Sequence, residues 1–259
     1  MHGSALEAAL RRDRWIVVIA LCAITALALG YTFWLATGFD MSGMMSPGYV
    51  PWTIPYFAFM AAMWVVMMIG MMTPSVAPMV LLYAALARKQ GQGAGGGAAS
   101  FAPPGWFFAG YLLAWTVFAV DATLLQWWLE SQALVAPMMA GTSRRIAGVV
   151  LLVAGAYQWM PFKQACLHSC HSPLSFVQRH GGFRPGAMAS LRLGVLHGLY
   201  CIGCCWVLMA LLFAFGVMNL TWIAGLMVFV LLEKLLPWPR AISRTAGVLA
   251  IATGTCLIA

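Results

Sequence analysis

Long apolar stretches alternate with short polar ones along the whole chain. The apolar runs cover roughly 15–37, 56–87, 106–130, 145–161, 191–216, 219–236 and 243–259. Most approach the ~20 residues that an α-helix needs to cross a bilayer. They are continuous and show no period-2 alternation, which argues against a membrane β-barrel. The pattern predicts an all-α, polytopic transmembrane bundle of about seven spans, with six as the alternative. No composition shift marks a boundary, so residues 1–259 are read as one integral membrane domain. The second run is too long for one straight crossing and carries Pro74 and Pro78, which predict a kink. The first run, after a short polar head, is read as a retained helix rather than a cleaved leader.

Composition agrees. Hydrophobic residues make up 63% of the 259 and charged ones 8%, too few to cover a soluble surface. The net charge of +8 raises the question of nucleic acid. The basic residues, however, cluster at the ends of apolar runs and form no stripe with interleaved aromatics, so no nucleic-acid partner is expected. With the N-terminus in the cytoplasm, 12 of the 14 Lys and Arg fall inside and only Arg144 and Arg145 outside. The expected location is the cell (inner) membrane, with the lipid bilayer as the first partner. The long segment 161–190 then becomes a cytoplasmic Cys/His loop, and the segment from Gly38 to Pro55 an outer one.

Three groups of soft ligands stand out. Cys166, His168, Cys170 and His171 lie within six residues, and in a helical turn Cys166 and Cys170 share a face. Inside the fifth run, His197 and Cys201 are four apart, with Cys204 and Cys205 following. His197 and Cys204 are about 10 Å apart along a helix axis, so one straight helix cannot wrap them all around a single ion. Methionine is the third group, with 18 in the chain. Met41, Met44 and Met45 fall in the outer segment, and Met60, Met63, Met67 and Met71 come close to one face of the second helix. A buried cysteine is also a small hydrophobe and a methionine a common core filler. Thiolate and thioether sulfur nevertheless favour Cu(I), with zinc the alternative for the Cys/His sets.

Depth connects the groups. Taking ~30 Å of hydrocarbon and ~1.5 Å per residue, Met67 lies near mid-membrane with Cys204 and Cys205, and Met71 lies level with Cys201 and His197. If the second and fifth helices pack together, soft ligands form a column from the outer methionines to the inner Cys/His segment. Two acids in apolar runs, Asp121 and Glu233, are candidates for a pathway or proton role, although Glu233 beside Lys234 also fits a pair snorkelling at a helix end.

At these residues the chain resembles a family of predicted metal-binding integral membrane proteins, a domain of unknown function sometimes labelled copper chaperone. The matching stretches are Tyr157-x-Trp159-x-Pro161-x-Lys163-x-x-Cys166-Leu167-x-x-Cys170, then Ser172-Pro173-Leu174, then Gly194-x-x-His197-Gly198-x-Tyr200-Cys201-x-Gly203-Cys204-Cys205-Trp206. Asn219-Leu220-x-Trp222 and Glu233-Lys234 follow. The resemblance covers most of the chain, most strongly from about 157 to 236, and implies metal binding. The family pattern has Arg where this chain has His171, so His171 is not part of what the resemblance implies.

The expected function is binding and translocation or delivery of a soft metal ion, Cu(I) first, through the Met and Cys/His sites. No P-loop and no phosphorylated-Asp motif of an ion pump is present, so ATP-driven transport by this chain alone is not expected. An enzyme is not the first reading. The alternatives are a membrane thiol oxidoreductase using Cys201 and Cys204, a structural zinc site joining the 161–190 loop to the fifth helix through Cys166, Cys170, Cys201 and one more ligand, and an accessory subunit for a copper enzyme. A metal chaperone or copper enzyme is the partner class, and oligomerisation is left open.

Overall fold

The computed structural model describes residues 3–38, 52–93, 102–132, 143–182, 185–217 and 219–259. Among them are nine helices and no strand. In chain order they are α1 (Gly3–Gly38), α2 (Ile54–Gly93), α3 (Pro104–Ser131), α4 (Arg144–Tyr157), α5 (Pro161–His171), α6 (Pro173–Arg179), α7 (Ala187–Phe215), α8 (Leu220–Leu235) and α9 (Pro239–Ile258). Proline stands at the start of α3, α5, α6 and α9, where its missing N–H costs nothing and its fixed φ suits the first turn. Asn219 caps α8 by accepting the backbone N–H groups of Thr221 and Trp222.

Five of these helices are long and apolar enough to cross a membrane: α1, α2, α3, α7 and α9. The count becomes six if α4 and α5, which meet at a bend of 67°, are one broken span. The expected sixth run folds as α8, only 16 residues long. At ~1.5 Å per residue that is ~24 Å, short of the ~30 Å hydrocarbon layer.

Segment 161–190 was expected as a loop, and most of it is helical. Pro161 and Pro173 start α5 and α6, and Cys166, Leu167, Phe176 and Val177 are buried. Cysteine behaves as a small hydrophobe and packs inward with its neighbours.

Helices α2, α3 and α7 carry most of the core, including Trp64, Phe107, Tyr111, Trp115 and Leu212. Glycines set how closely they approach. The Cβ of any residue replacing Gly194 would run into the carbonyl of Phe107, and one at Gly110 would run into the carbonyl of Leu191. Backbone therefore lies on backbone between α3 and α7, the packing small residues allow in membranes. Phe107 sits beside Gly194 and Ala114 beside Gly198, so the two helices run parallel. Trp64 bonds Gln126, and Tyr111 bonds the carbonyl of Met72, so α2 runs antiparallel to α3. Both directions agree with the order of crossings read from the sequence. Helices α4 and α9 use the same device, with Gly148 against Gly254 and Gly155 against Gly247.

Candidate metal centre

The close approach of α3 to α7 brings Tyr111 to the level of Cys201. The Tyr111 hydroxyl lies 3.1 Å from Cys201 Sγ and donates to the carbonyl of Met72 at 3.1 Å. Ser75 Oγ stands 3.2 Å from the same hydroxyl. From α8, Lys234 Nζ donates to Cys201 Sγ at 2.8 Å and to Ser75 Oγ at 3.2 Å. Residues of α2, α3, α7 and α8 thus converge on one sulfur. Through the Tyr111 hydroxyl, the carbonyl of Met72 on α2 is linked to Cys201 on α7.

Helix α5 supplies the other sulfurs. Cys166 and Cys170 share its inner face, and the Cys170 thiol faces those of Cys201 and Cys204. Cys166 Sγ lies against Gly203 of α7. Cys204 and Cys205 are fully buried, and their thiols donate to the carbonyl of Cys201 at 3.0 and 2.9 Å. Tyr157, at the end of α4, clamps this interface. Its hydroxyl donates to the carbonyl of Gly203 and accepts the Trp206 indole N–H at 3.1 Å. All seven cysteines are free thiols.

The predicted histidines separate. His197 is buried one turn from Cys201 among the rings of Phe107, Tyr111 and Phe176, and its Nδ1 has no hydrogen-bond partner among the described residues. His171 uses Nδ1 on the carbonyl of Lys234, 2.9 Å away. His168 is exposed on the opposite side of α5.

Of the methionines, Met63, Met67 and Met71 are buried on α2, and so are Met60, Met68, Met72 and Met79. The stripe is wider than the single face expected, because α2 is enclosed on several sides. It packs on α1, α3 and α8 and meets α7 through the rings of Trp64 and Phe213, whose centroids are 5.1 Å apart. Met41, Met44 and Met45 lie outside the described residues.

The acids also separate. Asp121 is exposed, in a groove between the outer faces of α3 and α7 lined by Val117, Phe118, Leu199 and Ile202. It points away from the sulfurs. Glu233 does not snorkel at a helix end. It is buried and pairs with Lys163 at 2.6 Å, and Lys163 also donates to the side chain of Gln158. Ser243 of α9 donates to the same Gln158 oxygen at 2.9 Å, so the network ties the α4–α5 bend to α8 and α9.

Lys163 and Lys234 were counted among the 12 basic residues expected on the inner side. Both are buried, because each finds a partner inside: a carboxylate for Lys163, a sulfur and a hydroxyl for Lys234. Without these two, 10 of the remaining 12 basic residues fall on the side expected to be inside. The reading also missed Tyr111, Ser75 and Glu130. Glu130 is a buried acid that accepts Trp52 Nε1 at 3.0 Å and Gln126 Nε2 at 2.9 Å. The signal available for Lys163 and Lys234 was their place in the Lys163-x-x-Cys166 and Glu233-Lys234 stretches. Nothing in the sequence marked Tyr111 out from the other aromatics.

A family model matches residues 61–257, and this range contains every residue named at the cysteine cluster. The chain belongs to the PpoB2 family, described as a copper chaperone. A search of curated proteins and one of solved structures return no match. The family description agrees with a role in copper handling, and the donor chemistry fits: thiolate and thioether sulfur are the ligands that favour Cu(I). The geometry adds a condition. Among the described residues, no three of His, Cys, Asp and Glu stand together as a ready cage for a metal. Cys201, the best placed sulfur, is held by Lys234 and Tyr111. What the arrangement offers is pairs of thiols across the α5–α7 contact.

Proposed function

We propose that this PpoB2 family member takes Cu(I) into the membrane at the α5–α7 interface and passes it on without enzymatic turnover. The observation that carries the reading is the contact that sets two thiols of α5, Cys166 and Cys170, against the stretch of α7 carrying Cys201, Cys204 and Cys205, in a buried setting beside His197. Single idle cysteines are common in cores, but five at one helix crossing form a soft-donor patch. Metal binding would release thiol protons, and two thiolates drawn from opposite helices would hold the ion. The buried methionines of α2 supply thioethers on one side of this point, and Met41, Met44 and Met45 extend the proposed route outwards. The cell (inner) membrane is the proposed location. A metal chaperone or copper enzyme is the proposed receiver, and the direction follows the sulfur column.

Elemental analysis of purified protein tests the reading, followed by X-ray absorption to count sulfur ligands. Wild type is expected to carry about one copper per chain with sulfur scatterers, and the Cys201→Ser/Cys204→Ser/Cys205→Ser variant almost none. Equal and negligible metal in both overturns it.

A further inference from the structure

The buried charges around the thiols do not cancel. Lys163 and Glu233 neutralise one another across 2.6 Å. Lys234 has no carboxylate within ion-pair distance among the described residues, and its ammonium is shut away from solvent against Cys201. Its electrostatic neighbours are Cys201, Cys204, Cys170 and Tyr111. Charge taken out of water is costly unless balanced nearby. The site therefore holds one fixed positive charge whose natural counterpart is sulfur.

We propose that Lys234 is the specificity residue of this centre, balancing a two-thiolate Cu(I) complex and rejecting divalent ions. The inference rests on the copper reading above. Two thiolates and one Cu(I) ion carry a net charge of −1, and Lys234 brings the sum to zero. The same two thiolates with Zn(II) and Lys234 sum to +1, a buried excess charge. A third thiolate would cancel it, but among the described residues no group of three His, Cys, Asp or Glu is arranged to hold a metal ion. A metal on the far side of the Cys201 sulfur, at a metal–sulfur distance of ~2.3 Å, stands roughly 5 Å from the ammonium. There a divalent ion meets twice the repulsion of a monovalent one. At an effective dielectric constant of about 20, the difference is about a hundredfold in affinity. Ser75 and Tyr111 hold the ammonium in place by accepting from it and by crowding the same sulfur.

Competitive titrations of the purified full-length protein test this, with Cu(I) and Zn(II) as one pair of probes and Ag(I) and Cd(II) as a second pair of soft ions. Lys234→Gln and Lys234→Met remove the charge, and Lys234→Arg keeps it. The neutral variants are expected to narrow the preference for the monovalent ion by about a hundredfold, and the Arg variant to hold it within about threefold of wild type. An unchanged preference in the neutral variants, or an equal loss in the Arg variant, overturns the charge filter. If neither neutral variant folds, wild type decides: a clear preference for Ag(I) over Cd(II) supports the filter, and equal affinity overturns it. Wild type that binds neither Cu(I) nor Ag(I) refutes the copper reading, and the filter falls with it. Tight Cu(I) binding with indifferent selectivity refutes the filter alone.

Discussion

Cys166 and Gly203 touch: a Cβ placed on Gly203 would stand 2.8 Å from the Cys166 sulfur. This contact seats α5 on α7 and, one turn further along α5, sets Cys170 against Cys201 and Cys204. Gly203→Val should push α5 away from α7 and separate the two sets of thiols. Overpacking of this kind costs about 1–3 kcal/mol, so the protein should still fold while copper stoichiometry drops several-fold. Circular dichroism and elemental analysis on the same sample check this. Retained helicity with full copper loading would show that the α5 sulfurs are not needed.

The Lys163–Glu233 pair gives a prediction about stability. Removing one partner of a buried ion pair leaves an uncompensated charge and costs about 3–5 kcal/mol. Lys163→Met and Glu233→Leu should each lower the thermal midpoint in detergent strongly. The double variant should recover most of the loss, because an apolar pair of similar volume carries no desolvation penalty. Additive losses in the double variant would mean that Gln158 and Ser243, not the ion pair, hold the α4–α5 bend.

Leucine tests the methionines without disturbing the core. Exchange of Met for Leu nearly conserves volume and costs less than about 1.5 kcal/mol per site. Met63→Leu, Met67→Leu and Met71→Leu together should leave the fold intact and the cysteine centre able to load from solution. Transfer of copper across liposomes containing the protein should slow at least tenfold. Unchanged transfer would assign these methionines to packing alone.

Asp121 provides the contrast. It lies on the outer side of the α3–α7 contact, and the sulfurs lie on the inner side. Asp121→Asn should leave copper stoichiometry within about twofold of wild type in elemental analysis, with no kinetic change in the liposome assay. A tenfold loss in either measurement would restore Asp121 to the pathway role suggested by its place in an apolar run.

The site was readable in unequal parts. Cys201, Cys204 and Cys205 were legible because their spacing puts them on one stretch of one helix, a local property. The link from Cys170 to Cys201 was legible only as one alternative, a zinc site joining the 161–190 segment to the fifth helix, because spacing within a segment does not say how α5 packs on α7. The inward turn of Lys163 and Lys234 was hidden for a related reason. A lysine at the end of an apolar run reads as an interfacial charge, and only the arrival of Glu233 or Cys201 from another segment makes an inward position tolerable.

The sequence by itself determined the helical class, the apolar runs and the identity of the soft donors, since each depends on composition and on periodicity within one segment. It also contained the order of crossings, which the parallel α3 and α7 and the antiparallel α2 and α3 repeat. The tertiary structure decided which donors meet. Glycines at 110, 194 and 203 let backbones approach, and that approach put Tyr111, Cys170 and Lys234 around Cys201. Contacts between residues up to 159 positions apart depend on how helices pack, and no periodicity within a single segment encodes them.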